Sequence, residues 1–358
     1  MFRGMPSTNK TPASQKNRNH MPKRVCISMK PGNAGGPSSF ARKLTAGLEN
    51  RGIAVTYSLA DRPYDAVLVV NATRELGALW QCKREGIRIV QRLGGLNWAH
   101  RFLPVGWKGF VLAEIRNQLM RLVRARIADA VVYQSHYAQD MWEQKYGPAR
   151  VPTTIIYNGV DLSLFHPEGE RYQPRAEVCL ISVEGALGND PWLIPVQVAQ
   201  KLIEQGLDVE LLMFGAPQFG VEAKLSKYPF VKFMGVVRNH DLPQYYRAAL
   251  AYIYTDVVMG WCPNSVIEAL ACGTPVVGFR VGALPEMLGA LCNDWCVEYG
   301  SDPFRMEEPK GIAQLATVVR KLAEDQEEAR LAARRLAEER YGLEQMVDRY
   351  AAILFQEG

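Results

Sequence analysis

No apolar run in this chain of 358 residues reaches the roughly 20 residues needed to cross a bilayer, so an enzyme anchored by its own spanning helix is not expected. Residues Met1–Pro22 are rich in Ser, Thr, Asn, Pro and Lys and lack the apolar stretch of a secretory leader; they read as a disordered basic tail. Met21 directly precedes the first strand-like segment, which leaves either Met1 or Met21 as the natural start. Paired metal-ligand spacing is absent as well. The cysteines Cys26, Cys82, Cys179, Cys262, Cys272, Cys292 and Cys296 are scattered, and the close pair at 292 and 296 has no second pair to complete a zinc site. Buried free thiols in a reducing cytoplasm are the expectation, with no metal and no cofactor. The first strand-like segment is also not followed by a well-placed G-x-G-x-x-G, and no acidic residue stands where a dinucleotide ribose would need one. A nicotinamide dehydrogenase is therefore the least favoured reading.

What is present fits a soluble globular protein: 48% of residues are hydrophobic and 22% charged. The length exceeds what one core usually organises, which predicts two domains of comparable size. The net charge of +5 suits anionic phosphates or an acidic membrane surface without demanding either.

From Arg24 onward, short apolar runs alternate with longer amphipathic ones, the pattern of parallel strands joined by crossover helices. Strands are predicted at Val25–Met29, Ala54–Ser58, Ala66–Val70, Ile87–Gln91, Ala130–Tyr133 and Thr154–Tyr157, with helices that include Ser39–Asn50 and Thr73–Glu85. Periodicity lapses over Asn158–Pro174 as Gly, Pro and charged residues collect, as in a linker. A second alternation follows, with strands at Val178–Val183, Val209–Phe214, Val231–Met234, Ala251–Tyr254 and Pro275–Gly278. Its helices are Pro195–Glu204, Leu242–Ala248 and Ser265–Cys272, and Ile312–Ala323, Gln326–Glu339 and Tyr341–Phe355 come after it. Two Rossmann-like halves in tandem result. Ligands of such sheets bind beyond the carboxyl ends of the strands, so two facing sheets enclose a cleft.

The segment from Pro263 to Gly278, PNSVIEALACGTPVVG, carries the strongest signal. Asn264 or Ser265 can cap a helix whose first amides and positive dipole end suit a diphosphate. Glu268 follows one turn later, where a carboxylate can accept two hydroxyl hydrogen bonds from a ribose diol. A plain capped helix with a solvated acid in its first turn would look the same. After the first strand, Gly35 and Gly36 let backbone approach a ligand closely, and Ser38 or Ser39 can start the next helix, although an ordinary tight turn fits too.

Taken together, these segments resemble the retaining glycosyltransferases of family 4 in the GT-B superfamily. The resemblance covers the chain from about Lys23. It is carried by Gly32–Ser38, by Val132–Ser135, by the junction Ile156–Asp161, by the block around Glu268, and by Gly282-Ala283-Leu284-Pro285-Glu286, which is similar to the family's G-G-x-P-E turn. It implies an α/β protein of GT-B fold, with two facing Rossmann-like domains, an interdomain cleft and a last helix that crosses back to the first domain. The implied organisation is a tail over residues 1–22, an acceptor domain over 23–160, a linker over 161–176, a nucleotide-sugar domain over 177–340, and a returning helix over 341–358. The family's ribose-binding role falls on Glu268, diphosphate contacts on Asn264 and Ser265, and base contact on the backbone around Val236.

The pattern also fails in places. The first Glu of the family's E-x7-E motif should stand eight residues before Glu268, where this chain has Gly260; Asp256 is a substitute only from a shifted backbone. The diphosphate-binding Arg and Lys fall on Gly185 and Asp190. Losing two cations removes several kcal/mol of charge-assisted hydrogen bonding, and Arg280 and Arg238 are the candidate replacements. The first-domain histidine of the family has no obvious match; His100, beyond Gly94 and Gly95, is the catalytic candidate, ahead of His136.

Phe102–Ile127 mixes Trp107, Phe110, Leu112 and Ile115 with Lys108, Arg116, Arg121 and Arg124. It reads either as a helix packing its apolar face on the first sheet or as a basic amphipathic helix lying on an anionic membrane. The expected activity is sugar transfer from a nucleoside diphosphate sugar to a glycan, lipid-linked or small-molecule acceptor. Retention and metal independence are implied by the resemblance alone. The partners expected are that donor and acceptor and, peripherally, an anionic membrane at its cytoplasmic face, without nucleic acid. Two alternatives keep the fold: a binding or partner subunit without turnover, which the three departures favour, and a nucleotide-sugar epimerase.

Overall fold

The computed structural model describes residues 23–32, 35–102, 105–186, 192–216, 221–256, 260–305 and 307–356. The expectations for the 1–22 tail and for Asp190 lie outside them. The first sheet holds six parallel strands: β1 (Arg24–Ile27), β2 (Ala54–Thr56), β3 (Ala66–Val70), β4 (Arg88–Leu93), β5 (Ala130–Tyr133) and β6 (Thr153–Ile155). Its crossover helices are α1 (Gly36–Glu49), α2 (Leu76–Arg84), α3 (Gly106–Leu122) and α4 (His136–Tyr146). Every residue of β3 and β5 is buried, which is why these strands read as unbroken apolar runs rather than alternating ones. The spatial order is β2-β1-β3-β4-β5-β6, so chain direction across the sheet reverses between β1 and β3.

The second sheet is again six parallel strands: β7 (Val178–Ala186), β8 (Val209–Ala216), β9 (Val231–Gly235), β10 (Ala251–Ile253), β11 (Val276–Phe279) and β12 (Cys296–Val297). Their order is β12-β11-β10-β7-β8-β9, which places the reversal between β7 and β10. The helices of this half are α5 (Leu193–Glu204), α6 (Val221–Leu225), α7 (Pro243–Ala248), α8 (Asn264–Ala271), α9 (Leu284–Leu288), α10 (Cys292–Trp295), α11 (Ile312–Glu324) and α12 (Gln326–Arg340). A last helix, α13 (Leu343–Leu354), leaves this domain. Its Met346, Val347, Tyr350 and Leu354 are buried in one apolar cluster with Phe40, Leu44, Leu68 and Val90 of the first domain. The fold is GT-B, with the crossing helix that the resemblance implies.

Both interdomain crossings are tied together. The Val160 amide donates to the Tyr341 carbonyl at 2.8 Å and the Leu343 amide returns a bond to the Val160 carbonyl at 2.9 Å. Beside them, a Cβ on Gly159 would lie 2.8 Å from the Leu343 Cα, so the junction glycine is a packing requirement of the returning chain.

Two details depart from the sequence reading. β12 spans two residues, too short to show a period. Helix α3 does not lay its apolar side on the sheet: of its seventeen residues only Asn117 and Met120 are buried, because the neighbouring core is closed by the π-helical turn Val123–Ile127 that follows. Among the described residues no helix is long and apolar enough to cross a membrane.

Candidate functional site

The reversal between β7 and β10 marks where the second sheet has its crevice, beyond the carboxyl ends of those strands. The chain leaving β10 reaches α8, whose N-cap is Pro263 with no side-chain cap bond. This corrects the capping expectation: Asn264 and Ser265 are the first two helical residues, and neither caps. Proline is tolerated there because it lacks only an amide that a helix start leaves unpaired. The half-buried Ser265 hydroxyl is 3.0 Å from the Tyr252 hydroxyl instead. The N-cap residue thus leaves the opening turn of α8, the part of a helix that attracts anions, without a side-chain cap bond.

One turn on, Glu268 is 4% exposed. The Asn239 side-chain amide donates to its Oε1 at 3.1 Å, and Lys43 Nζ lies 3.7 Å from the same atom. Burial pushes the carboxyl above the usual carboxylate range, while Lys43 and the Asn239 hydrogen bond draw it partly back. Lys43 stands on α1 of the first domain and also donates to the Gly159 carbonyl at 3.0 Å, so this acid is held from both halves of the molecule. Asn239 belongs to the turn that follows Val236, which is itself 77% exposed beyond Gly235. The loop singled out for base contact and the acid singled out for ribose contact are therefore neighbours.

Sequence reasoning missed both Lys43 and Asn239. No local pattern marks them, since each matters only through a contact more than 25 residues away. Arg238 donates to Asp241 at 2.9 Å. Arg280 gives Nη2 to the Asn293 carbonyl at 3.2 Å and pairs with Glu298 at 3.5 Å. The cation recorded at Glu268 is Lys43 rather than either of these.

Gly260 has a steric reason. A Cβ there would run into the Tyr254 hydroxyl and sit 2.9 Å from the Asp256 carbonyl oxygen. No acid fits at this position on this backbone. Asp256 lies by Tyr137, whose hydroxyl is raised to about 12 by burial and then by that negative charge.

Between the domains, Glu286 accepts the His136 amide at 2.9 Å and the Tyr137 amide at 3.2 Å, capping α4 from the other half. Ser135 completes that cap by accepting the Ala138 amide at 3.1 Å. Trp261, just before α8, stacks on Tyr137 with centroids 5.4 Å apart and an interplanar angle of 21°. A Cβ on Gly95 would collide with the Trp261 indole, so the glycines after β4 are the floor on which this second-domain tryptophan rests. The junction residue Asn158 gives its amide side chain to the Cys262 carbonyl at 2.8 Å and accepts from Arg92 at 2.8 Å.

His100 is placed elsewhere. Its Nε2 is 2.9 Å from Glu114 and its ring meets Phe110 edge-on at 4.9 Å, so among the described residues its side chain meets α3. Gly35 and Gly36 are exposed, Gly35 with φ of 94°, and a Cβ on either would meet nothing within 4 Å; only the backbone conformation of Gly35 asks for glycine. Among the described residues no three His, Cys, Asp or Glu side chains are grouped to hold a metal ion.

Residues 189–325 match the family Glycosyl transferases group 1. A D-inositol 3-phosphate glycosyltransferase 1 of Catenulispora acidiphila is 30% identical over 254 residues, 63% of this chain and 57% of that protein. Matches to the first curated relatives span 16% to 64% of their length. Sucrose-phosphate synthase from Thermosynechococcus elongatus superposes with a TM-score of 0.70 at 16% identity, over 92% of this chain and 98% of that one. Anabaena HepE, solved in complex with UDP-glucose, gives 0.64 at 18% identity over 93% and 99%.

Proposed function

We propose that this GT-B chain transfers a sugar from a nucleoside diphosphate sugar to an acceptor with retention of configuration and without an essential metal. The observation that carries the reading is the pairing of an α8 start whose N-cap, Pro263, supplies no side-chain cap bond with a buried carboxylate one turn later, at the switch point of a second domain similar to group 1 glycosyltransferases. In this reading the α8 amides receive the diphosphate, where their dipole opposes the negative charge that builds as the sugar departs. Glu268 accepts the ribose hydroxyls, and backbone beside Val236 meets the base. Lys43 adds the positive charge that positions 185 and 190 do not supply. The acceptor enters from the first domain, against the loops that follow β1 and β4. That HepE was solved with UDP-glucose supports a nucleotide-sugar donor for the fold.

The test is a thermal-shift screen of the whole chain across UDP- and GDP-sugars, since a ligand bound only by the folded form raises apparent stability. One donor class is expected to raise Tm. Glu268→Ala should remove that shift, because two hydrogen bonds to a charged acceptor are worth about 3 kcal/mol or more, a loss of roughly 100-fold in affinity. An unchanged shift overturns the ribose assignment. The closed packing at Gly260 favours a second reading, a binding subunit without turnover. Nucleotide binding with neither donor hydrolysis nor transfer to any acceptor selects it.

A further inference from the structure

Near the carboxyl end of β4, Arg92 is buried to 1% exposure, with its guanidinium 3.7 Å from the centre of the Phe40 ring of α1. No carboxylate pairs with it among the described residues. Its Nε and Nη1 complete no hydrogen bond, although the Tyr350 hydroxyl of α13 stands close enough to favour the charged form. Burial lowers the pKa of the group from the usual arginine range. A cation held out of water without a counter-ion is costly, and a guanidinium does not shed its proton to escape that cost. Its remaining nitrogen, Nη2, donates to Asn158 Oδ1 at 2.8 Å.

Asn158 lies at the junction of the domains and is itself buried. Its side-chain amide donates to the Cys262 carbonyl at 2.8 Å, and its backbone amide donates to the Cys262 sulfur at 3.2 Å. Cys262 precedes Pro263, the N-cap of α8, and the peptide joining them has no N–H. The Cys262 carbonyl is therefore the one polar group by which that peptide can be held, and Asn158 holds it. Burial pushes the Cys262 thiol up to about 12 even against the Asn158 amide and the Arg92 charge, so it stays protonated while α8 is seated.

We propose that Arg92 is a positioning residue for the donor site: acting through Asn158, it fixes the peptide that leads into α8 and so aims the first amides of that helix into the cleft. The inference rests on the donor-site reading and adds the first-domain group that keeps the helix in place. An apolar side chain of similar length would fill the space beside Phe40 without an unpaired charge. It would leave Asn158 Oδ1 unheld, and the carboxamide could then turn away from Cys262. Preorganised donors lose much of their effect when displaced by about 1 Å, which gives the costly guanidinium its reason.

The test compares Arg92→Met, Asn158→Ala and the double variant of the full chain. Affinity for UDP and GDP is measured by calorimetry, and labelling of each cysteine by iodoacetamide is followed site by site by mass spectrometry. Arg92→Met removes a buried charge that has no counter-ion, so its Tm is expected to stay close to that of the parent. Both single variants should bind nucleotide about tenfold or more weaker. Both should also speed labelling of Cys262 while the buried Cys179 and Cys272 of the same domain stay protected. Because Arg92 acts through Asn158, the double variant should bind within about twofold of Asn158→Ala alone. Losses that multiply overturn the proposal, since the two residues then act separately. So does an Arg92→Met variant that binds nucleotide and guards Cys262 as the parent does. A loss of affinity that tracks a fallen Tm, with all cysteines labelling together, reduces Arg92 to a packing role. A parent that binds neither UDP nor GDP sinks the donor reading instead, and Cys262 labelling alone then decides whether Arg92 holds the start of α8.

Discussion

Glu268 sits where its charge is costly and its partners are few. Because burial raises its folded pKa above the unfolded value of about 4.3, the folded state holds the proton more tightly, and stability falls as pH rises from the unfolded pKa through the folded one. Glu268→Gln keeps the shape and removes the charge. Without ligand, this variant should be at least as stable as the parent above the folded carboxyl's pKa, and its Tm relative to the parent should climb as pH rises from the unfolded value of about 4.3. A difference in Tm between variant and parent that instead shrinks as pH rises contradicts the assigned burial. Gly260 gives the opposite lesson, since its smallness is structural. Gly260→Ala should cost about 1–3 kcal/mol in urea unfolding through overpacking on Tyr254 and the Asp256 carbonyl. Gly260→Glu should cost more and should gain no transfer activity, although it restores the family's missing acid.

At the scale of elements, α4 shows how the two domains are latched. Its first amides are capped by Ser135 from its own domain and by Glu286 from the other. Ser135→Ala should cost about 1 kcal/mol, the usual worth of an N-cap. Glu286→Ala removes an anion from the positive end of the helix as well as two acceptors, and it frees Tyr137 beneath Trp261. Hydrogen exchange at His136, Tyr137 and Ala138 should quicken in this variant while amides of β7 and β8 stay protected. Equal loss of protection in both places would mean that Glu286 supports the second domain rather than the latch. The end of α8 is equally determined by local chemistry: Gly273 adopts φ of 73° and its amide bonds to the Leu270 carbonyl at 2.9 Å, closing the helix so that Thr274 and Pro275 can enter β11.

Over the whole molecule, α13 makes the first domain depend on the end of the chain. Val347 packs so closely on Gly47 of α1 that no side chain fits between them. Arg51 of the segment after α1 pairs with Glu344 and Asp348 at 2.7 Å. Gly47→Val is expected to wedge the two helices apart, costing about 1–3 kcal/mol and lowering Tm by several degrees. A neutral result would show that α13 is only loosely seated.

How much of this was legible without coordinates follows from the range of each interaction. Eleven of the twelve strands could be read because apolar periodicity, glycine and proline act within a few residues, whereas the GT-B arrangement and the returning helix followed from the family resemblance and β12 is too short to leave a period. β3 and β5 were even placed to the residue, since full burial leaves an uninterrupted apolar run. The block around Glu268 was legible for the same reason, a contiguous motif at one helix start. Only the tertiary structure decided that Pro263 stands at the N-cap, that Lys43 and Asn239 share Glu268, that Tyr254 forbids a side chain at Gly260, and that α3 turns its apolar face outward. Each of these depends on which distant surface comes to lie opposite, and side chains separated by dozens or hundreds of residues leave no periodic mark on the chain between them.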